Sequence, residues 1–526
     1  MKHLKKTASL LLIAVMVLVM CVPVMAYTIT APKNGHTYEV YQIFTGSLSA
    51  DNVLSNITWG SSAKNNDQEA PVGEAVPNSV LTELETISKS ASDTEKLNVI
   101  LKYANLSKVY NTIVGTSDQN AENPKLENVP AGYYLIKDVD GSQVNKDDAY
   151  TKYIVEIVDN VTIEPKMVKP SVEKKVQENL NTENTTGEYG DRYNDTADYS
   201  IGDMVPFKLI GTVPDMSQYS KYKYTFHDDL ATSFDAPSKE NIKVSVANTK
   251  AEAGSDITSS FEINVNGNEI TVSTNNLKNI TNVSEGKYII VTYSAKLNSN
   301  ASIGQIEPGN TNKVYLTYSN NPNQSGEGTP EEGKTSEDKV IVFTYKLNTK
   351  KIDGKTNKPL PGVTFKLYKG TGENKQWAKV TDGKLSGWDT ENQATILTSD
   401  ADGYFYVAGL DAGTYYIHEV KELPGYNKIP DVEINIAANT SNGQNGVGSV
   451  SELTSISVKT KVNDTETNGS GTVKNGTAEI CIKNQKGSIL PETGGIGTTI
   501  FYIVGIVLVL GAGVLLVTKK RMNADK

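Results

Sequence analysis

Cysteine is nearly missing from this chain of 526 residues: only Cys21 and Cys481 occur. Cys21 lies in an N-terminal apolar stretch, so the body of the protein holds one thiol and no internal disulfide. Histidine is equally scarce, four in all with His3 near the N-terminus. That supply is too small for a convincing histidine-rich metal centre or catalytic triad. No GxSxG, HExxH or phosphate-binding loop occurs, so a secreted hydrolase has no supporting constellation. Long apolar runs are absent except at the two ends. What holds the protein together must therefore be ordinary cores or a bond other than a disulfide.

The two ends read as processing signals. Lys2, Lys5 and Lys6 precede an apolar run from Leu10 to Val22, and "VMA" supplies small residues before a cut after Ala26. This is the pattern of a secretory signal, leaving Tyr27 as the first mature residue. At the other end Ile496–Val517 is long enough to cross a bilayer, with Thr498, Thr499 and Tyr502 its only polar members. Lys519, Lys520 and Arg521 follow as a cytoplasmic stop. The signal and the tail hold seven of the 51 basic residues and one of the 61 acidic ones, so 27–493 carries 44 against 60, or −16. Such a surface argues against nucleic acid or anionic membrane as partner.

Between the ends, tyrosine is plentiful (27 against 9 Phe), glycine reaches 42, and short alternating apolar runs recur. This predicts a mainly β protein of tandem immunoglobulin-like sandwich domains. Residues 27–168 contain strand patterns such as "HTYEVYQIF" and one helical stretch, "NSVLTELETISKSASDTEKLNVILKYAN", a short helical insertion. Residues 169–343 carry "KYIIVTYSAKL" and "NKVYLTYSNNP", and residues 344–488 carry "VTFKLYK", "GYFYVAGL" and "GTYYIHEV". "SDADGYF" places Asp400 and Asp402 as a calcium loop begins, but no glutamate follows at the required spacing, so a turn is expected there.

"SILPETGGIG", followed by the apolar span and the basic tail, resembles the cell-wall sorting signal of Gram-positive surface proteins. The resemblance implies that a sortase recognises Leu490, Pro491, Glu492, Thr493 and Gly494, cuts after Thr493, and passes the threonyl acyl group to an amine. The apolar span is then a transient tether, in the membrane only in the precursor.

Two further resemblances concern the body of the chain. "TKKIDGKTNKPLPGVTFKLY", "GTYYIHEVKELPGY" and "AEICIKN" resemble the opening strand, acidic box and closing strand of collagen-adhesin B-type domains. In that family a lysine condenses with an asparagine, assisted by a buried acid. The matching residues are Lys351, Asn484 and Glu419. Independently, alternation puts each on an apolar face, with Leu347, with Ile480 and Ile482, and with Tyr415 and Ile417. "PSVEKKV", "KYTFHDDL" and "KVYLTYSNNP" are similar in order to the A-type domain and give Lys174, Asp228 as the catalytic acid, and Asn320; Lys175 and Asn321 fall on the opposite faces. Asp138 in "AGYYLIKD" looks like a third acidic box, with no lysine or asparagine to pair with it.

At the first boundary, Pro165-Lys166 in "VTIEPKMVKP" resembles the pilin motif whose lysine accepts the next subunit's threonyl group. Glu164 and Met167 depart from the aromatic and asparagine usual there, and Lys169 is the nearest competitor. The chain as a whole therefore resembles a backbone pilin of a sortase-assembled pilus. The resemblance implies head-to-tail joining of Thr493 to Lys166 by a pilus-type sortase and internal Lys–Asn bonds without turnover. It further implies minor pilins and peptidoglycan as partners, and no cofactor or metal. The expected layout is a signal peptide at 1–26, domains at 27–168, 169–343 and 344–488, and the sorting signal at 489–526. A monomeric wall-anchored adhesin would share all of this except a use for Lys166.

Overall fold

The alternating Tyr, Val and Ile segments form strands, and hydrogen bonding sorts these into separate sheets along the chain. The structure, a computed structural model, describes residues 26–522 except 88–90, 92, 144, 165–167, 180–186, 307–308, 325–330, 441–451 and 488–495. Lys166, Leu490, Pro491, Glu492, Thr493, Gly494 and the expected signal sequence up to residue 25 lie outside the described residues.

In the first part, Tyr38–Leu48 pairs with Gly132–Asp138, which pairs with Lys152–Ile157. Tyr38–Leu48 is apolar on both faces because both are covered. Tyr38 and Val40 meet a small sheet led by Ala26–Thr30, and Tyr41 and Ile43 meet the helical side. The expected helical stretch is two helices, Asn78–Thr86 and Asp93–Leu101. The first ends at Ile87, whose backbone is extended.

The middle part is a sandwich of two sheets. Val172–Gln177, Met204–Thr212 and Tyr288–Leu297 are antiparallel neighbours in one. Asp338–Phe343, Asn310–Ser319 and Tyr224–Leu230 are antiparallel neighbours in the other. The inner faces meet through Phe207, Leu209, Phe226, Val291 and Leu316. A buried side chain of this size contributes roughly 1.5–3 kcal/mol, so this packing supplies the stability that disulfides do not.

The third part is one continuous sheet whose ends return to each other, Gly469 N donating to Val458 O. Its first strand, Tyr345–Asp353, lies between antiparallel Tyr404–Leu410 and parallel Thr477–Asn484. The apolar core runs unbroken from the middle part into the third through Phe343 and Tyr345. The first part meets the middle one by polar contacts: Tyr150 N donates to Asn320 O and Tyr318 Oη to Asp147 O, both at 2.7 Å. Last comes the helix Ile496–Met522, whose 24-residue portion Thr499–Met522 is long and apolar enough to cross a membrane.

Candidate functional site

Parallel pairing of the third part's first and last strands sets Asp353 opposite Asn484 and Lys351 opposite Ile482. Lys351 and Asn484 are thus diagonal neighbours on one inward face. Glu419, on Gly413–Lys421, approaches from across the core. All three are fully buried. Lys351 Nζ donates to Asn484 Oδ1 at 2.8 Å and lies 3.4 Å from Glu419 Oε2, while Asn484 Nδ2 donates to Glu419 Oε1 at 3.0 Å. Burial pulls the lysine down to about 8, against the opposing pull of Glu419, so a neutral amine is accessible near neutrality. The Phe365 ring, 5.3 Å from Nζ, closes the site. An amine, a carboxamide and a carboxyl in mutual contact can exchange ammonia for an amide bond.

Beside this site "SDADGYF" is a tight turn. Asp400 Oδ1 accepts from the backbone N–H of Asp402 and Tyr404, and Gly403 takes a left-handed φ of 82°. Lys351 N donates to Gly403 O, so the turn braces the lysine's strand.

The middle part presents a second constellation, contributed by both sheets. Lys174 Nζ is 2.5 Å from Asp228 Oδ1, and Tyr293 Oη donates to Asp228 Oδ2 at 2.5 Å. Lys174 N donates to Asp338 Oδ2 at 2.6 Å. Burial lowers the lysine and raises the aspartate, each held back by the other's charge. Asn320 is not part of this group. Its Nδ2 donates to Lys146 O and Asp148 O, so it serves the contact with the first part. The asparagine brought to Lys174 and Asp228 is Asn312, whose Nδ2 donates to Tyr293 Oη at 2.7 Å. The correction has a simple cause. Asn312, Val314, Leu316, Tyr318 and Asn320 share one strand face, so alternation cannot choose between the two ends. Antiparallel register decides it, setting Asp228 opposite Val314 and Leu230 opposite Asn312.

Comparison with known proteins matches three stretches of the chain. Residues 201–322 match the family described as Gram-positive pilin backbone subunit 2, Cna-B-like domain, where the motif order suggested the A-type. Residues 345–448 match the SpaA prealbumin-like fold domain, and residues 482–524 the LPXTG cell wall anchor motif. The chain is also 26% identical over 477 residues, 78% of each protein, to the trypsin-resistant surface T6 protein of Streptococcus pyogenes serotype M6. Together these matches support a Gram-positive LPXTG major pilin. The chain is a cell-wall-anchored surface protein and a pilus shaft subunit. Among solved structures, the T6 backbone pilin of S. pyogenes is similar at TM-score 0.48 and 17% identity, covering 88% of this chain and 98% of that one. The full-length major pilin SpaD of Corynebacterium diphtheriae is similar at TM-score 0.43 and 17% identity, covering 88% and 97%.

Three further polar contacts in this pilin complete the account. Lys175 is on the face opposite Lys174, as alternation implies, yet it is also fully buried and pairs with Asp195. Asp138 is buried against a histidine: His36 Nδ1 lies 3.0 Å from its Oδ1. Lys169, the alternative acceptor, has its ammonium 3.1 Å from Asp148.

Proposed function

We propose that this pilin comprises three domains, 27–168, 169–343 and 344–488, and is polymerised head to tail. A pilus-type sortase would cut between Thr493 and Gly494 and transfer the threonyl acyl group to Lys166 of the next subunit. Two internal isopeptide bonds then staple each subunit, Lys351–Asn484 and, in place of the pairing with Asn320, Lys174–Asn312. Minor pilins and peptidoglycan complete the set of partners.

The observation that carries the internal bonds is the contact of Lys351, Asn484 and Glu419. Lys351 Nζ adds to the Asn484 carboxamide carbon. Its surplus proton goes to Glu419 Oε2, and the carboxyl gives a proton to Nδ2 from its other oxygen. Ammonia leaves, an amide remains, and Glu419 ends with as many protons as it began. The enclosing core keeps water from competing. Closure of a loop this long is worth roughly 5 kcal/mol. Under tension a covalent tie carries load that strand hydrogen bonds, about 1 kcal/mol net each, would release.

For the polymer, the ring of Pro165 would restrict the backbone before Lys166, and Lys169 is engaged by Asp148. In cells, Lys166→Arg keeps the charge and removes a competent nucleophile. It should collapse an SDS-resistant ladder to monomer while leaving the internal bonds intact. A ladder persisting in the variant would move the acceptor elsewhere. No ladder in the wild type beside its own pilus sortase would favour a monomeric adhesin.

A further inference from the structure

We propose that the Tyr293 hydroxyl is a catalytic group of the middle domain's crosslinking reaction, carrying a proton from Asp228 to the departing amide nitrogen of Asn312. The proposal rests on the Lys174–Asn312 condensation proposed above. The two sites differ in how the acid reaches its asparagine. In the third domain Glu419 touches both reactants itself, one carboxylate oxygen near Lys351 Nζ and the other accepting from Asn484 Nδ2. The middle domain has an aspartate, one methylene shorter. Asp228 Oδ1 meets Lys174 Nζ, Oδ2 accepts from Tyr293, and the Tyr293 oxygen in turn accepts from Asn312 Nδ2. The phenol fills the gap left by the missing methylene.

Tyr293 is well placed for this. It is buried, and its register puts it opposite Phe207, in the sheet that also carries Lys174. Its oxygen lies 3.4 Å from Lys174 Nζ, so one hydroxyl adjoins both reacting residues and the acid. Asn312 Oδ1 is buried with no hydrogen-bond partner among the described residues, which leaves the nitrogen as the end of the amide addressed by this chain of groups.

The step balances. Lys174 Nζ, as the free amine, adds to Asn312 Cγ and a C–N bond forms. Asp228 enters the step neutral with its proton on Oδ2, the form burial favours. As the surplus proton of Nζ arrives on Oδ1, the Oδ2 proton moves toward Tyr293, whose own hydrogen turns to Nδ2. As Nδ2 becomes tetrahedral it regains a lone pair and changes from donor to acceptor. Tyr293 then gives its proton to Nδ2 and takes the one carried on Asp228 Oδ2. The Cγ–Nδ2 bond breaks and ammonia leaves. An amine and a carboxamide become a secondary amide and ammonia, and Tyr293 and Asp228 end with as many protons as they began.

The test uses the full chain, pulse-labelled in cells and digested, with the joined Lys174 and Asn312 peptides followed over time. Tyr293→Phe should slow their joining by roughly 10²-fold or more, the scale of general acid catalysis. Lys351–Asn484 joining in the same molecules should keep its wild-type rate. Adding Asp228→Glu to Tyr293→Phe restores the missing methylene and should recover the reaction, which would not follow if the hydroxyl only filled space. Wild-type kinetics in Tyr293→Phe would overturn the proposal. Should the Phe variant not fold, chains made with fluorotyrosine decide: their more acidic phenol should shift the pH profile of the Lys174–Asn312 reaction alone, and an unchanged profile overturns the role. A wild type that joins Lys351 to Asn484 but not Lys174 to Asn312 would overturn the underlying reaction itself.

Discussion

Lys351 and Asn484 stand 133 positions apart in the chain and 2.8 Å apart in space. They meet because the third domain begins and ends on neighbouring parallel strands. A bond there ties the domain's entrance to its exit, so a pull on the two chain ends passes through one amide instead of the sheet between. The middle domain would be tied differently. Lys174 and Asn312 belong to opposite sheets, and their bond would stitch the two faces of the sandwich together.

Mass spectrometry of the purified chain should show two ammonia masses missing. Glu419→Ala should restore one and Asp228→Ala the other, because each removes the acid that moves the proton. The variants should unfold more readily, with roughly 5 kcal/mol of loop closure forfeited per bond. An unmodified wild-type mass would refute both bonds.

The two asparagines on Asn310–Ser319 should behave differently. Asn312→Ala abolishes the middle domain's bond. Asn320→Ala leaves it intact but removes the donor to Lys146 O and Asp148 O. Limited proteolysis should then cut more readily between the first and second domains. Recovery of a peptide joining Lys174 to Asn320 would reverse the assignment.

Formation of the Lys351–Asn484 bond should depend on pH. The lysine is held down at about 8, so its nucleophilic neutral form grows as pH rises toward that value. Chains refolded from denaturant before crosslinking should join faster at pH 8 than at pH 6, by about tenfold or more if the amine's ionisation limits the rate. A flat profile would show that deprotonation does not control the step.

The junction of the second and third domains should respond to pH in the opposite sense. Asp198 and Asp411 are buried there, and both are pushed well above the usual carboxylate range, by burial first and then by neighbouring charge. Glu178, Asp203, Tyr199, Tyr345 and Tyr415 surround them. Asn179 donates to Asp411, and the nearby cation, Lys369, acts on Asp203. A carboxyl raised on folding stabilises the fold below its unfolded pKa, near 4, and that stability is lost as pH climbs through the folded value. Melting temperature should therefore fall on the alkaline side. Asp198→Asn and Asp411→Asn should flatten the decline and raise the melting temperature at pH 8 by about 2–4 °C per kcal/mol relieved. Equal slopes in wild type and variants would contradict this.

Material released from the wall should end at Thr493, since the helix Ile496–Met522 would serve only to hold the precursor in the membrane. Recovery of an intact tail through Lys526 from the wall fraction would exclude cleavage there.

The sequence by itself determined the C-terminal anchor, the strand-rich class and the polar residues destined for the interior. Charge, run length and period-two alternation are local properties, readable without knowing which strand lies beside which. Lys351, Glu419 and Asn484 were legible for that reason, each flanked by apolar residues two positions away. Lys174 and Asp228 were legible in the same way, but their asparagine was not. Asn312 and Asn320 carry identical local signals, and only the register of two strands more than eighty residues apart separates them. Tyr293 was hidden more deeply still, since a tyrosine on an apolar strand face reads as core until a carboxylate and an amide are seen on its hydroxyl. The carboxylates at the domain junction were likewise beyond local reading. Asp198 and Asp411 are more than two hundred positions apart, and they are buried together only because the second and third domains share one core. Tertiary packing decided each of these cases because desolvation and proton transfer depend on which groups lie within a few ångströms, and chain separation carries no record of that.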